Sequence, residues 1–560
     1  MKDSATNGSE RTPIFQALSW GLIAGLLAGL AMLLTMALLR MFLGWPTPTE
    51  LIFDRVFPLL TVEFFIASLA RAGGYTPLKL QGVFGALAGQ LIVAGAGGMI
   101  YALYLRARRR GADQSNKSRL LVPRGWLLVV PAVLAATALF VALLWPTLTT
   151  NYRGYPPATA RLIAILEMLI SFSVCGVGVM FFHSLLNRPR FLPTPTPPPR
   201  DGASVPGMAL RRFLALGIGA AMAVALGDVL RRLFALGTFS YDGLQYSGPK
   251  VQKITPIRPV DEFYQVSKNL IDPDISRDAW RLDIIGEVEN PRVYSFADIT
   301  AMTAVEQETT LLCISYGIGS GLCSNALWKG VPLPALLAQV KPKPDVTTVL
   351  FRAADGYYET FRFEKAMEPT TLVAYEMNGE PLPQRHGYPL RMIVPGLYGE
   401  KNPKWLTRIE LLNDADARLH KRRGCGFYKE QGWGREGDVI PTHSRFDAPQ
   451  VAGDHFEKPF KVGQPVELRG MAFGGDRGIS HVEISSDWGG TWSPARISEP
   501  GTKISWSLWT FIFTAAAGGE TEFVVRAVDG TGKPQIEEYR DSVPDGATGL
   551  HRVRARIESA

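Results

Sequence analysis

With 560 residues, 47% of them hydrophobic and 20% charged, and a mean hydropathy of +0.07, the chain is too apolar to be wholly soluble. Disordered, collagen-like and disulfide-stapled classes are excluded, and four cysteines (Cys175, Cys313, Cys323, Cys425) have neither the spacing of a zinc ribbon nor that of a c-type haem attachment. The formal charge of +8 is concentrated in two loops, seven Lys/Arg against one Asp between Arg106 and Arg124 and five Arg against one Asp between Asn187 and Arg212, so it reads as membrane orientation and excludes a nucleic-acid surface.

In chain order, five apolar stretches near residues 15–40, 82–105, 125–145, 162–186 and 213–235 are long enough to span a hydrocarbon core of about 30 Å. A shorter run, Val56 to Ala70, carries Glu63 and is expected to lie in the interface without crossing. With both basic loops in the cytoplasm, the parity of spans places everything after residue 236 outside it. The segment Ala209 to Leu214, with Arg211 and Arg212 before an Ala/Gly/Leu run, resembles a twin-arginine export signal without the usual spacer, and equally suits a pair of positive-inside anchors. His183 is the only histidine in any span, so a bis-histidine haem within one chain is not available. Glu167 and Asp228 are expected to snorkel from helix ends, with a quinone or proton role for Glu167 as the alternative. Six prolines between Asn187 and Arg200 predict an extended tether.

After the last span the text changes to short β-type runs broken by Gly, Pro and Asp. Strands are expected at Trp280–Ile285, Thr347–Arg352 and Leu390–Val394, with a short helix beginning at Pro334, which gives a mixed α+β domain to about residue 450. From about 460 the pattern is all-β, with turn clusters such as Asp487 to Gly490, and predicts an immunoglobulin-like sandwich. The predicted architecture is thus a transmembrane helical region over 1–240, an α+β domain over 250–450 and a β-sandwich over 455–560.

Two stretches carry candidate chemistry. Cys313 ends an apolar run ahead of a glycine-rich loop, where a soft-metal ligand or nucleophile, a buried structural cysteine and a disulfide to Cys323 are all open readings. His386, Arg391, Lys401 and Lys404 fall in a glycine-rich stretch suited to a phosphate-bearing ligand, or to a solvated loop.

From about Thr255 to Ile557 the chain resembles the sulfite oxidase family of molybdopterin-dependent oxidoreductases. The resemblance rests on Phe263–Asn269, Trp280–Leu282, Leu312–Ser315, Asn325–Gly330, Asp355–Tyr357, Leu372–Gly379, His386–Arg391, Val394–Gly396 and Lys404–Leu406, and downstream on Gly426–Trp433 and Ser444–Phe446. It implies a molybdenum–pterin cofactor with Cys313 as its one protein thiolate, pterin or phosphate contacts at Asn269, Asn325, His386, Arg391, Lys401 and Lys404, and an active-site tyrosine at Tyr357. It also implies a small anionic substrate, with sulfite favoured, a C-terminal dimerisation domain and hence a homodimer, and an external electron acceptor such as a cytochrome or a quinone-linked protein. No haem, flavin or iron–sulfur signature is present in the chain. Two departures bear on substrate: the family's substrate-binding arginine is missing from Phe263–Asn269, leaving Lys268 as the nearest cation, and Tyr316 stands where many bacterial relatives have Asn. The expected protein is a membrane-anchored enzyme with its catalytic domain outside the cytoplasmic membrane. A sulfoxide reductase using the same cofactor and a non-catalytic subunit of a respiratory complex are the alternatives.

Overall fold

The computed structural model describes residues 14–56, parts of 60–74, 75–111, 125–187, 206–235, 254–415 apart from 268 and 270, 439–542 and 545–559. Lys268, the Gly426–Trp433 motif, Cys425, the proline-rich tether and most of the 56–70 run lie outside the described residues. The chain divides into two compact units: residues 1–55, 79–150 and 157–237 form one, and residues 56–78, 151–156 and 238–560 the other.

The first unit contains helices α1 (Ile14–Leu43), α2 (Pro48–Val56), α3 (Tyr75–Gly111), α4 (Trp126–Leu144), α5 (Pro157–Asn187) and α6 (Pro206–Ala235). All but α2 are long and apolar enough to cross a membrane, and they coincide with the five expected stretches. Gly21, Gly25 and Gly29, spaced four apart on one face of α1, meet Ala94 and Gly98 of α3 so closely that a Cβ at Gly25 would collide with the Ala94 backbone. Asp228 is half-buried and paired with Arg231 and Arg232 at 2.8 Å. Glu167 departs from expectation: it is 0% exposed and accepts a hydrogen bond from Ser171 Oγ at 2.9 Å within α5.

The second unit opens with two sheets. Strands β1 (Leu282–Gly286), β2 (Arg292–Tyr294), β5 (Val346–Ala353), β6 (Tyr358–Arg362) and β10 (Leu406–Asn413) form one, in the order β2-β1-β10-β5-β6, with only the β1–β10 pair parallel. The other is β3 (Val305–Leu312), β4 (Cys323–Pro332), β7 (Leu372–Met377) and β8 (Glu380–Pro381), with β9 (Arg391–Ile393) paired to β7. Their shared core includes Trp280, Leu282, Ile284, Val349, Phe351, Ile409 and Leu411. Helix α8 (Leu333–Val340), preceded by the one-turn helix α7 (Phe296–Thr300), buries Leu333, Leu336, Leu337 and Val340, the i, i+3, i+4, i+7 face its sequence predicts.

From His443 the chain builds two further sheets, of four and seven strands, closed over Phe446, Leu468, Trp509, Phe523, Val525 and Val553. The domain is β-rich, as expected, and its first strand, His443–Ala448, pairs with Pro465–Phe473.

Candidate functional site

Strand β3 runs from exposed Val305 into the core, so its last residues, Leu311 and Leu312, are buried and deliver Cys313 to the interior. The ladder continues one step further, the Cys313 N–H donating to the Leu322 carbonyl at 3.0 Å, while the Tyr316 N–H turns back to the Cys313 carbonyl at 2.9 Å. Leu312 pairs with Cys323, and side chains alternate along a strand, so the two sulfurs point to opposite faces. Both cysteines are free, which removes the disulfide reading.

Burial pushes the Cys313 thiol up to about 12, and the nearby Glu400 carboxylate adds to the shift. Opposing it are the N–H groups of Ile314 and Ser315 and the Ser315 hydroxyl, donors that would stabilise a thiolate. A soft metal ion would supply the remaining stabilisation by displacing the thiol proton. The turn Gly399–Lys401 closes over this residue: a Cβ built at Gly399 would strike the Tyr264 hydroxyl and come within 3.6 Å of the Cys313 Cα, so only glycine lets the turn approach. The Tyr357 hydroxyl donates to the Glu400 carbonyl at 2.9 Å, which ties the β5–β6 turn to the same place.

That turn is organised by Asp355. Its carboxylate accepts from the Asn269 side-chain amide at 2.8 Å and from the Tyr357 N–H at 3.0 Å, linking two of the expected site residues.

A second group gathers around the segment Val260–Ser267. His386 is buried and its Nε2 lies 3.0 Å from the Val260 carbonyl, so that nitrogen carries the proton. Burial, helped by the Arg391 and Lys404 charges, drives its pKa down to about 3, and the ring is neutral in any ordinary buffer. Lys404 donates to the carbonyls of Val266 and Arg385, both at 3.1 Å, and burial lowers its pKa. Arg391 donates to the His386 carbonyl at 3.0 Å and lies over Trp328, with its centre 4.9 Å from the ring. Its Nε has no hydrogen-bond partner, no carboxylate pairs with it among the described residues, and burial lowers its pKa to about 10. A buried guanidinium left with carbonyl acceptors alone is suited to an anion such as a phosphate.

Two expected contacts are engaged elsewhere. Lys401 forms a 2.8 Å ion pair with Glu359, at 1% and 0% side-chain exposure, and also reaches the Thr360 carbonyl. Asn325, mid-strand in β4, accepts from Thr310 Oγ1 at 2.9 Å and donates to the Pro256 carbonyl at 2.8 Å. The structure therefore gathers Cys313, Tyr357 and Asn269 through the Asp355 and Gly399 turns, and His386, Arg391 and Lys404 around Val260–Ser267. Sequence reasoning missed Asp355, Glu400, Ser315 and Tyr264. Asp355 was within reach as the acidic residue of an Asp-Gly turn, whereas nothing local marks Glu400.

Residues 269–419 match the family model described as the oxidoreductase molybdopterin binding domain, and residues 452–554 that of the Mo-co oxidoreductase dimerisation domain. The chain is 29% identical over 342 residues to the mitochondrial sulfite oxidase of Drosophila melanogaster, covering 53% of this chain and 59% of the relative. It is 29% identical to the sulfite oxidase of Arabidopsis thaliana, over 54% of this chain and 88% of the relative. It is 26% identical to the NADH nitrate reductase of Solanum lycopersicum, over 48% and 35%. Among solved structures, the sulfane dehydrogenase SoxCD of Paracoccus pantotrophus aligns with a TM-score of 0.47 at 23% identity, over 55% of this chain and 85% of that one. Residues 269–419 are thus similar to molybdopterin-binding oxidoreductase domains, and residues 452–554 to the dimerisation domain of such oxidoreductases.

The residues present fit that cofactor. A buried thiol faced by N–H donors suits a soft metal, and an unneutralised buried arginine beside Lys404 suits the pterin phosphate.

Proposed function

We propose that the protein is a membrane-anchored molybdenum oxidoreductase that oxidises sulfite to sulfate outside the cytoplasmic membrane: sulfite and water give sulfate, two protons and two electrons, the electrons passing to an external acceptor, a cytochrome or a quinone-linked protein. The observation that carries it is the environment of Cys313, a strand-end thiol faced by N–H donors and walled by Gly399 and Tyr264.

In this reading Cys313 holds the metal as a thiolate, and Asn269, His386, Arg391 and Lys404 hold the pterin and its phosphate. When bound, the cofactor supplies the oxygen-atom and two-electron chemistry. The chain's own groups position and exclude: Tyr357, fixed on the Glu400 carbonyl, orients the substrate, neutral His386 holds the Val260 segment without titrating, and Lys268 draws the anion in. Lys401 contributes by holding the Gly399 turn against Glu359.

Residues 151–156, between α4 and α5, share a unit with 238–560, which supports the orientation deduced from the basic loops, with both on the outer side. The C-terminal domain serves as an immunoglobulin-like dimerisation module in a homodimer.

A second reading, reduction of a neutral sulfoxide, is favoured by one observation. Among the described residues, the charged side chain that acts on Cys313 is the Glu400 carboxylate, and Lys401 is already neutralised by Glu359. The test is ferricyanide reduction by the purified, molybdenum-loaded protein on addition of sulfite, with Cys313→Ser as control. Rapid reduction in the wild type alone is expected. Its absence in loaded protein, with oxidation of a reduced dye by methionine sulfoxide instead, would replace the first reading by the second.

A further inference from the structure

A segment outside both matched regions touches the turn that carries Asp355. Residues 151–156 lie between α4 and α5 in sequence, yet they belong to the unit that holds the candidate site. The Asn151 N–H donates to the Ala354 carbonyl at 2.9 Å, the Ser276 N–H donates to the Arg153 carbonyl at 3.0 Å, and the Arg153 guanidinium pairs with Asp274. The Asn151 side chain folds the segment on itself: Oδ1 accepts from the N–H groups of Tyr155 at 2.8 Å and Arg153 at 3.3 Å, and Nδ2 donates to the Tyr155 carbonyl at 3.1 Å. Tyr152 is 1% exposed. Gly154 has φ +77°, and a Cβ there would lie 2.8 Å from Ile275 and 3.5 Å from Trp280, so the segment is seated too closely for a side chain.

The position of that seat gives it significance. Ala354 gives its N–H to the Trp405 carbonyl at 2.9 Å and its carbonyl to Asn151. The next residue is Asp355, which holds Asn269 and the Tyr357 N–H. The turn is thereby clamped from one side by the strand that begins after Trp405 and from the other by a segment distant in sequence.

We propose that Asn151–Pro156 is a positioning strap for the Ala354–Tyr357 turn, setting the placement of Tyr357 and Asn269 in the site. This rests on the reading that those two residues belong to the site. Without the strap the Ala354 carbonyl loses its partner and the turn gains freedom, and placement errors of about 1 Å can cost up to about a hundredfold in rate.

The test uses the full-length, molybdenum-loaded protein and the variants Gly154→Val, Asn151→Ala and Asn151→Asp, with Tyr357→Phe as comparator. Hydrogen exchange of the 353–358 amides is followed against the 519–529 strand, and sulfite turnover with ferricyanide is normalised to molybdenum content. Gly154→Val should raise 353–358 exchange and lower kcat about tenfold with KM changed less than about twofold, a signature of misplacement rather than lost binding. Asn151→Ala should follow in the same direction, and Asn151→Asp, which keeps the Oδ1 acceptor, should recover part of the loss. Unchanged 353–358 protection in Gly154→Val while 151–156 itself exchanges freely would overturn the strap. So would a turnover loss that only tracks molybdenum content. Deprotection of the turn with full activity in both Gly154→Val and Tyr357→Phe would mean that the site itself had been misread, and the positioning role falls with it.

Discussion

Cys313 and Cys323 flank one loop on one strand pair, both are buried and free, and burial pushes both thiols up to about 12. Burial and pKa therefore do not separate them; their surroundings do. Beside Cys323 the buried Arg445 is ion-paired, with its Nε 2.8 Å from the Asp447 carboxylate and its Nη1 on the Ser320 carbonyl, although Asp447 Oδ2 has no hydrogen-bond partner. Beside Cys313 the sulfur meets N–H donors and the Glu400 carboxylate, and the unit's buried Arg391 donates to the His386 and Asn402 carbonyls with no carboxylate partner among the described residues. What separates the two is the state of the buried arginine: Arg445 is balanced by a carboxylate, whereas Arg391 has only carbonyl acceptors among the described residues and can take an added anion.

The sharpest way to break this contrast is to exchange the two cysteines' fates. Cys313→Ser should abolish molybdenum retention and turnover while circular dichroism stays native, whereas Cys323→Ser should keep both within about twofold and cost roughly 1 kcal/mol of stability. Equal loss in both variants, by metal analysis, would erase the distinction.

Next in size are the two arginine environments. Asp447→Asn leaves Arg445 buried without its counter-charge and should cost about 3–5 kcal/mol in unfolding free energy. Arg391→Met removes a cation that has no carboxylate partner, so the apoprotein should be no less stable in denaturant melts while pterin content falls at least about tenfold. A destabilised Arg391→Met apoprotein would show that this charge is structural after all.

A smaller effect separates the two readings of the reaction. Removing the Glu400 charge as Glu400→Gln should raise kcat/KM for sulfite about three- to tenfold, since a like charge near the site repels the anion, and should leave a neutral sulfoxide unaffected.

A last effect, on stability and not on turnover, is in pH. Burial holds His386, His443 and His551 near 3, against an ordinary value of 6.5. Below about pH 6.5 the unfolded chain takes up protons that the folded one refuses, so stability is full above that pH and falls on acidification towards 3, by up to about 1.4 kcal/mol per pH unit for each ring. Unfolding midpoints between pH 7 and 4.5 should show the slope, and His443→Gln should flatten it by one ring's share.

What the sequence disclosed follows from the range of the forces involved. The five apolar helices, α8 and the strands around residues 282, 346 and 391 were legible because periodicity and length are local properties. Cys313, His386 and Arg391 were legible through contiguous motifs. Glu359 as the partner of Lys401 was not, since the two lie 42 residues apart and meet only when β6 packs beside the Gly399 turn. Glu167 misled for a related reason: a carboxylate near a helix end reads as snorkelling until the packed helices are seen to bury it.

The strap also gives the catalytic unit a discontinuous ancestry along the chain. Residues 56–78 and 151–156 of the unit are made before α5 and α6, and residues 238–560 after them, so order of synthesis and order of completion differ. A chain beginning at residue 238 would lack Gly154 and Tyr152 and leave the surface of Ile275 and Trp280 open. If the domain leaves the cytoplasm already folded, as its twin-arginine-like segment would have it, it does so with that seat vacant. The final piece of its assembly would then be supplied from between two helices at its destination.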